Sequence, residues 1–220
     1  MRVTIIDRHS LLADSLSIVL EREGFLVTIV ETAHPQSSLV TVLASALRCA
    51  GRLVLMEQDL GRVGDGMRLV APLTRSGATV VVLTESTDRS RWGRAVQQGA
   101  KDVLHKTCSL RQVVGTAQRV RDGLPLMDAA QRASLVAAAQ AEHEEIRAIR
   151  VGLDRLTRRE TQILGALMNG DTVREIARTH VVAEVTVRSQ VKSILAKLEK
   201  TSQVAAVGAA HRVTWRPPTA

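Results

Sequence analysis

The chain has 220 residues, 45% of them apolar, and a formal charge of +8; this suits one or two globular domains with a polyanionic partner. No run approaches the ~20 apolar residues that cross a bilayer, and Asp7 comes too early for a signal peptide, so no membrane association is expected and the cytoplasm is the expected compartment. One phenylalanine, two tryptophans and no tyrosine argue against single-stranded nucleic acid, whose bases stack on aromatic rings, and leave duplex DNA open.

From residue 1 to about 122, short apolar runs alternate with stretches of helical periodicity. Val3–Ile6, Phe25–Val30, Leu53–Met56, Val80–Thr84 and Val103–His105 read as strands. Residues 10–22, 36–49, 66–75, 88–98 and 109–121 read as amphipathic helices; Leu12, Leu16, Val19 and Leu20, for example, recur at helical spacing. Repeated β-then-α units of this length build a parallel sheet covered on both faces. In such a sheet, polar residues at the carboxyl ends of the strands gather in one crevice. Cys49 and Cys108 have neither metal-like nor redox spacing and read as small, at least half-buried side chains in a reducing compartment.

Asp7 and Arg8 follow the first predicted strand, Glu57 follows the third, Thr84 ends the fourth and Lys106 follows the fifth. With this set at the strand ends, residues 1–122 resemble the receiver domain of two-component response regulators. In that family two acids after strand one and an aspartate after strand three bind Mg²⁺ and accept phosphate. A hydroxyl residue and a lysine then contact the phosphoryl group. The resemblance implies that Asp7, Arg8, Glu57, Thr84 and Lys106 form the matching site in degenerate form. Arg8 stands where the family has a metal-binding acid, and a guanidinium repels a cation. Glu57 stands at the acceptor aspartate and is one methylene longer, and Val103 stands at the aromatic switch position. Ordinary Mg²⁺-dependent phosphorylation is therefore not expected, nor is any metal or other cofactor. Arg8 is expected to pair with Glu57 in place of the metal's charge, with Lys106 nearby; the alternative is two solvated residues at a decayed site. Asp59, two residues on from Glu57, is a substitute acceptor in principle. Gly61, Gly64 and Gly66 lack the Lys-Ser/Thr pair of a phosphate-binding loop, and nothing specifies a small-molecule effector for the crevice.

Gly123 and Pro125 end the last of these helices, and residues 123–155 read as a helical linker with an alanine-rich stretch at Met127–Ile149. Leu135, Ala139, Glu142, Ile146, Ile149 and Leu153 form an imperfect heptad seam. That seam fits an amphipathic helix resting on one domain, or a short pairing segment in a dimer. His143, among Glu142, Glu144 and Glu145, reads as solvated rather than as a metal ligand.

Positive charge is densest at the C-terminus: residues 156–220 hold 10 Lys/Arg against 5 Asp/Glu, and residues 1–122 hold 16 against 12. Thr157-Arg-Arg-Glu160 and Thr172-Val-Arg-Glu175 are capping boxes that open two helices. A third helix, from Glu184 to Leu198, turns Val187, Val191, Ile194, Leu195 and Leu198 inward, and a fourth begins at Ser202. A helix, a tight turn and a longer helix with basic residues outward form an arrangement that enters a major groove. Over residues 156–207, Leu156-Thr-x-Arg-Glu160, Gly170, Glu175-Ile-Ala177, Thr186-Val-Arg188, Val191, Ile194 and Lys197-Leu198 resemble the LuxR/NarL-type DNA-binding domain. The resemblance implies that Arg188, Ser189 and Lys192 reach base edges. It also implies that Thr172, Arg174, Thr186, Gln190 and Lys197 anchor phosphates. Four features depart from the pattern: His180 replaces a buried leucine, Ala183 an N-cap serine, Gln190 a histidine, and Glu199-Lys200 a small-apolar pair.

The expected fold class is α/β: a five-stranded parallel doubly wound receiver-like domain (1–122), a helical linker (123–155) and an all-α four-helix helix-turn-helix domain (156–210), followed by a disordered tail (211–220). The expected function is sequence-specific transcriptional regulation on double-stranded DNA, as a homodimer, with RNA polymerase a further partner. Its receiver would not run on ordinary aspartate phosphorylation. The alternatives within this class are a phosphorylation-switched regulator and a receiver that senses a small-molecule effector. An enzyme is disfavoured, because no nucleophile–base pair, metal cluster or cofactor loop is present. A protein-interaction module that lost DNA binding is countered by Arg188 and Lys192.

Overall fold

The computed structural model describes residues 1–49 and 51–217 and divides into two compact units, Met1–Gln140 and Ala141–Ala220. The first unit alternates β1 (Arg2–Ile6), α1 (Ser10–Arg22), β2 (Leu26–Val30), α2 (Leu39–Cys49), β3 (Leu53–Glu57), α3 (Met67–Arg75), β4 (Thr79–Thr84), α4 (Arg89–Gln97), β5 (Asp102–His105) and α5 (Leu110–Arg121). All strand pairings are parallel, in the order β2-β1-β3-β4-β5. The predicted strands all appear, displaced by a residue at most. α2 starts three residues later than its apolar pattern, at a turn where Ser38 and Thr41 bond reciprocally.

The sheet is buried on both faces. Every residue of the central strand β3 is buried, which is why Leu53-Val-Leu-Met56 reads as a continuous apolar run rather than an alternating one. Ala13, Leu16 and Leu20 of α1 pack with Val113, Ala117 and Val120 of α5 over one face. Val42 and Ala46 of α2, Leu69 and Leu73 of α3, and Ala95 and Val96 of α4 cover the other. This three-layer packing brings the carboxyl ends of β1, β3, β4 and β5 to one edge.

A long helix, α6 (Ala129–Asp154), contributes to both units. Its first turns belong to the α/β unit: Leu135 is 1% exposed and joins the core on the α3–α4 side. The approach is so close that a Cβ on Gly93 of α4 would collide with the Leu135 carbonyl and the Ala139 side chain. Arg89 donates to Ser134 Oγ at 3.0 Å across the same contact. The last turns of α6 belong to the second unit, where Ile149 and Leu153 join its core. Leu135, Ala139, Ile149 and Leu153, four of the six seam positions, are thus spent on packing within the units.

The second unit continues with α7 (Arg158–Met168), α8 (Val173–Thr179), α9 (Glu184–Lys197) and α10 (Gln203–Arg212). Ile163, Leu164, Ile176, Val187, Val191, Ile194 and Leu198 meet in its core. Both predicted capping boxes form, at Thr157/Glu160 and Thr172/Glu175. The tail expected to be disordered from residue 211 is ordered as far as Trp215. α10 runs to Arg212, the Trp215 amide donates to the Ala210 carbonyl at 3.0 Å, and the Trp215 indole packs on the core. Burying that indole removes more apolar surface than any other tail residue offers. Residues 218–220 lie outside the described residues. Among the described residues no helix is long and apolar enough to cross a membrane.

Candidate receiver pocket and nucleic-acid interface

The parallel register sets Asp7 just after β1, Glu57 at the end of β3, Thr84 at the end of β4 and Lys106 just after β5. The fold thereby brings four of the predicted residues, with Arg8, to one edge. Lys106 is their hub. Its Nζ lies 2.7 Å from Glu57 Oε1 and 3.1 Å from Asp7 Oδ1, and its side chain is 8% exposed. Asp7 Oδ2 is buried and accepts no directed hydrogen bond, but it lies 3.0 Å from the same ammonium. The charge of Lys106 therefore serves the atom that hydrogen bonding leaves out.

Arg8 reaches Glu57 in two ways: its amide donates to Oε2 at 3.0 Å and its Nε lies 3.5 Å from Oε1. The end of its guanidinium goes elsewhere, donating to Asp59 Oδ2 at 2.8 Å. The expected Arg8–Glu57 pair is present, but the shortest side-chain contact to Glu57 is from Lys106, and Arg8 bridges Glu57 to Asp59. Burial pushes the Glu57 carboxyl above its usual pKa, against the opposing pull of Lys106 and the Arg8 amide. Asp59, the substitute acceptor considered from sequence, is two-thirds exposed and already salt-bridged.

The Thr84 hydroxyl is also committed. It donates to Gln58 Oε1 at 2.7 Å and accepts from the Ser86 amide at 3.1 Å. Val103, at the aromatic switch position, is buried in the core. One member of the cluster was missed from sequence: His9, whose Nδ1 lies 3.2 Å from Asp7 Oδ1, 3.0 Å from Lys106 Nζ and 3.5 Å from Glu57 Oε1. Its place two residues after Asp7 was the available signal, but only the fold turns its ring back over the pocket.

Asp7, His9 and Glu57 each offer a donor atom, all within 4.8 Å of one another. The group does not fit the Mg²⁺ that receivers bind. Mg²⁺ demands octahedral oxygen ligands, whereas here an imidazole and a guanidinium flank the carboxylates and an ammonium lies within 3.1 Å of both. Two carboxylates already face two cations. Beside the pocket, an open hollow of about 500 Å³ is lined by side chains of mixed charge, among them Asp59, Asp65, Arg91 and Arg94; this lining selects no ligand class.

In the second unit, α9 buries Val187, Val191 and Ile194 and leaves Arg188, Ser189 and Lys192 exposed. Arg188 is held loosely by Glu184 one turn back, at 3.5 Å. Arg174 and Thr186 are exposed and Gln190 is half-exposed. The hydroxyl of Thr172 serves the α8 cap, bonding Glu175. Lys197, expected as a phosphate anchor, faces a buried carboxylate in this chain. Its ammonium donates to Glu160 Oε2 at 2.6 Å, on a carboxylate that is 3% exposed and also receives Ser193 Oγ at 2.6 Å and the Thr157 amide at 2.7 Å. Burial works to raise the Glu160 pKa, but the bonds from Lys197, Ser193 and Thr157 outweigh it and hold the carboxyl at about 2. Releasing Lys197 to a phosphate would strand that buried charge. Ala183 caps α9 without a side-chain bond, and His180 is half-buried, its Nδ1 2.8 Å from Arg159.

Comparison with known proteins follows the same division. Residues 3–118 match the response regulator receiver domain, and residues 154–210 match the bacterial regulatory proteins of the luxR family. The transcriptional regulatory protein LiaR of Bacillus subtilis is 24% identical over 215 residues, covering 96% of this chain and 97% of its own. The DNA-binding transcriptional activator DevR/DosR of Mycobacterium tuberculosis is 28% identical over 196 residues, covering 84% and 88%. Among solved structures, the two-component response regulator RcsB in complex with DNA aligns with a TM-score of 0.50 at 19% identity, over 97% of this chain and 98% of that one. A Salmonella typhimurium RcsB structure aligns at 0.51 and 20%, over 97% and 99%. At such identities the structural likeness speaks for the fold.

Proposed function

The chain belongs to the LuxR/NarL-type response regulators, and on that footing we propose that it is a dimeric, sequence-specific regulator of transcription whose receiver works without Mg²⁺-dependent aspartate phosphorylation. The working division is a receiver-like domain over 1–122, a helical segment over 123–155 and a DNA-binding domain over 156–210. Arg188, Ser189 and Lys192 read base edges in the major groove. Arg174, Thr186 and Gln190 hold phosphates. The DNA complex of RcsB, whose fold this chain shares, supports duplex DNA as the partner.

The observation that carries the receiver half of this reading is Lys106 lodged between Asp7 and Glu57, with Arg8 at the position of a metal-binding acid. Phosphoryl transfer needs a cation that neutralises the transferring oxygens and an acceptor at in-line distance. Here the positive charge is built into the chain, and the carboxylate it holds is a methylene longer than the family's acceptor. The test pairs two measurements on the full-length protein. After incubation with acetyl phosphate and Mg²⁺, intact mass shows no species heavier by one phosphoryl group, and promoter binding in a mobility-shift assay is equal with and without the phosphodonor. A phosphorylated species that binds DNA more tightly overturns the reading.

A further inference from the structure

Val185 sits in the first turn of α9, 71% exposed, and among the described residues it belongs neither to the core of its unit nor to that core's margin. Stability gives no reason for a valine there. It is a weaker helix former than alanine, and it forgoes the favourable charge that an acid has in a first helical turn. Its position on the helix is more informative. Side chains three, four and seven apart share a helical face, so Val185, Ser189 and Lys192 form one outward stripe, with Arg188 beside Val185 by the three-residue step. The core positions Val187, Val191 and Ile194 lie on the opposite side. Val185 is thus the apolar leading member of the face assigned above to base reading.

We infer that Val185 reads the C5-methyl group of thymine in the major groove. In helix-turn-helix proteins the N-terminal residues of the recognition helix contact base edges. Thymine presents a methyl group there and the other bases do not, and an apolar side chain is the complement of that methyl. The neighbours fit the same partner: Lys192 shares the stripe, Arg188 lies beside it, and exposed Arg174 sits on the preceding helix. The binding site would then combine a guanine opposite Arg188 or Lys192 with a thymine one helical turn of protein away. Glu184 lies 3.5 Å from Arg188, one turn along the same helix.

This inference rests on the reading of α9 as the recognition helix, and the experiment separates the two. Duplexes selected from a random pool by the full-length protein are remade with deoxyuridine replacing thymine at one position at a time, which deletes the methyl alone. Burial of one methyl corresponds to roughly a fourfold change in affinity. The wild-type protein is expected to lose about that much at a thymine in each half-site, whereas Val185→Ala binds both forms alike and keeps its guanine preference. Val185 is exposed, so the variant keeps its fold, which thermal melting verifies. A wild type indifferent to deoxyuridine everywhere, with Arg188→Ala still relaxing guanine preference, overturns the assignment of Val185 and leaves α9 as the reader. A deoxyuridine effect that persists in Val185→Ala assigns the methyl to another side chain and overturns it equally. If no sequence is selected, or Arg188→Ala changes nothing, both readings fall.

Discussion

Val181 is a β-branched residue held at φ 52° at the end of α8. Its amide donates to the Arg178 carbonyl, and the next amide, of Val182, donates to Ala177; these are the two bonds of a Schellman cap. α7 ends with the same pair of bonds, and there Gly170 occupies the left-handed position at φ 93°. Glycine takes that conformation without penalty, whereas an L-residue with a Cβ costs about 1–2 kcal/mol. Val181 is 90% exposed, so its side chain offers no packing in return. Val181→Gly is therefore expected to stabilise the second unit by about 1 kcal/mol, after allowing for the greater freedom of glycine in the unfolded chain. Thermal unfolding checks it as a midpoint higher by a few degrees. A lower midpoint would overturn the claim that the left-handed backbone at Val181 costs more than the freedom glycine adds to the unfolded chain.

Among elements, the tie between α7 and α9 is electrostatic as well as apolar. The Glu160 carboxyl sits at about 2 against an ordinary value of 4.5. A folded pKa below the unfolded one means that the unfolded chain binds more protons in that window, so stability is gained as pH rises through it. The contribution is fully present above about pH 5 and fades as pH falls towards 2, and its size is about 3 kcal/mol before solvent screening. Glu160→Gln should flatten the acid limb of the stability curve between those limits and lower stability at neutral pH, because Lys197 is left unpaired. Urea denaturation followed across pH is the measurement, and an unchanged slope sinks the claim. The elements themselves are legible in the sequence. Short apolar runs marked the strands, and Thr-x-x-Glu boxes marked the starts of α7 and α8. Strand ends alone were enough to group Asp7, Glu57, Thr84 and Lys106, because a parallel sheet brings those ends to one edge. The missing details were three-dimensional. Nothing in the order of residues says that Lys106 outcompetes the guanidinium of Arg8 for Glu57, that Gln58 claims the Thr84 hydroxyl, or that Lys197 turns inward to Glu160. Each is a choice among several partners within reach, decided by side-chain direction and burial. Gly93 was also unreadable, since its reason is the backbone of α6 pressing on α4.

At the scale of the whole chain, the excess of basic over acidic residues is concentrated in the last third, and the structure sorts those cations by role. Lys197 is committed to a buried carboxylate, Arg212 to Glu142 and Glu145, and Arg159 to His180. Arg174 and Lys192 stay exposed, and Arg188 is exposed too, paired with the exposed Glu184. Net charge therefore overstates what a DNA backbone meets. Each phosphate neutralised by a cation releases counterions and adds about 0.9 to the slope of log affinity against log salt. If Arg174 holds a phosphate, Arg174→Ala should make that slope shallower by about one per subunit and weaken all sequences alike. Arg188→Ala should instead cost roughly 1–3 kcal/mol on the selected site and relax base preference. Lys197→Ala, placed with the phosphate anchors by resemblance, should leave the slope unchanged and lower the stability of the second unit, because its work is on Glu160. Fluorescence anisotropy titrations of the three full-length variants over a salt series, with melting curves alongside, distinguish these behaviours. A shallower slope for Lys197→Ala with undiminished stability would return Lys197 to the phosphate backbone and remove the structural role assigned to it.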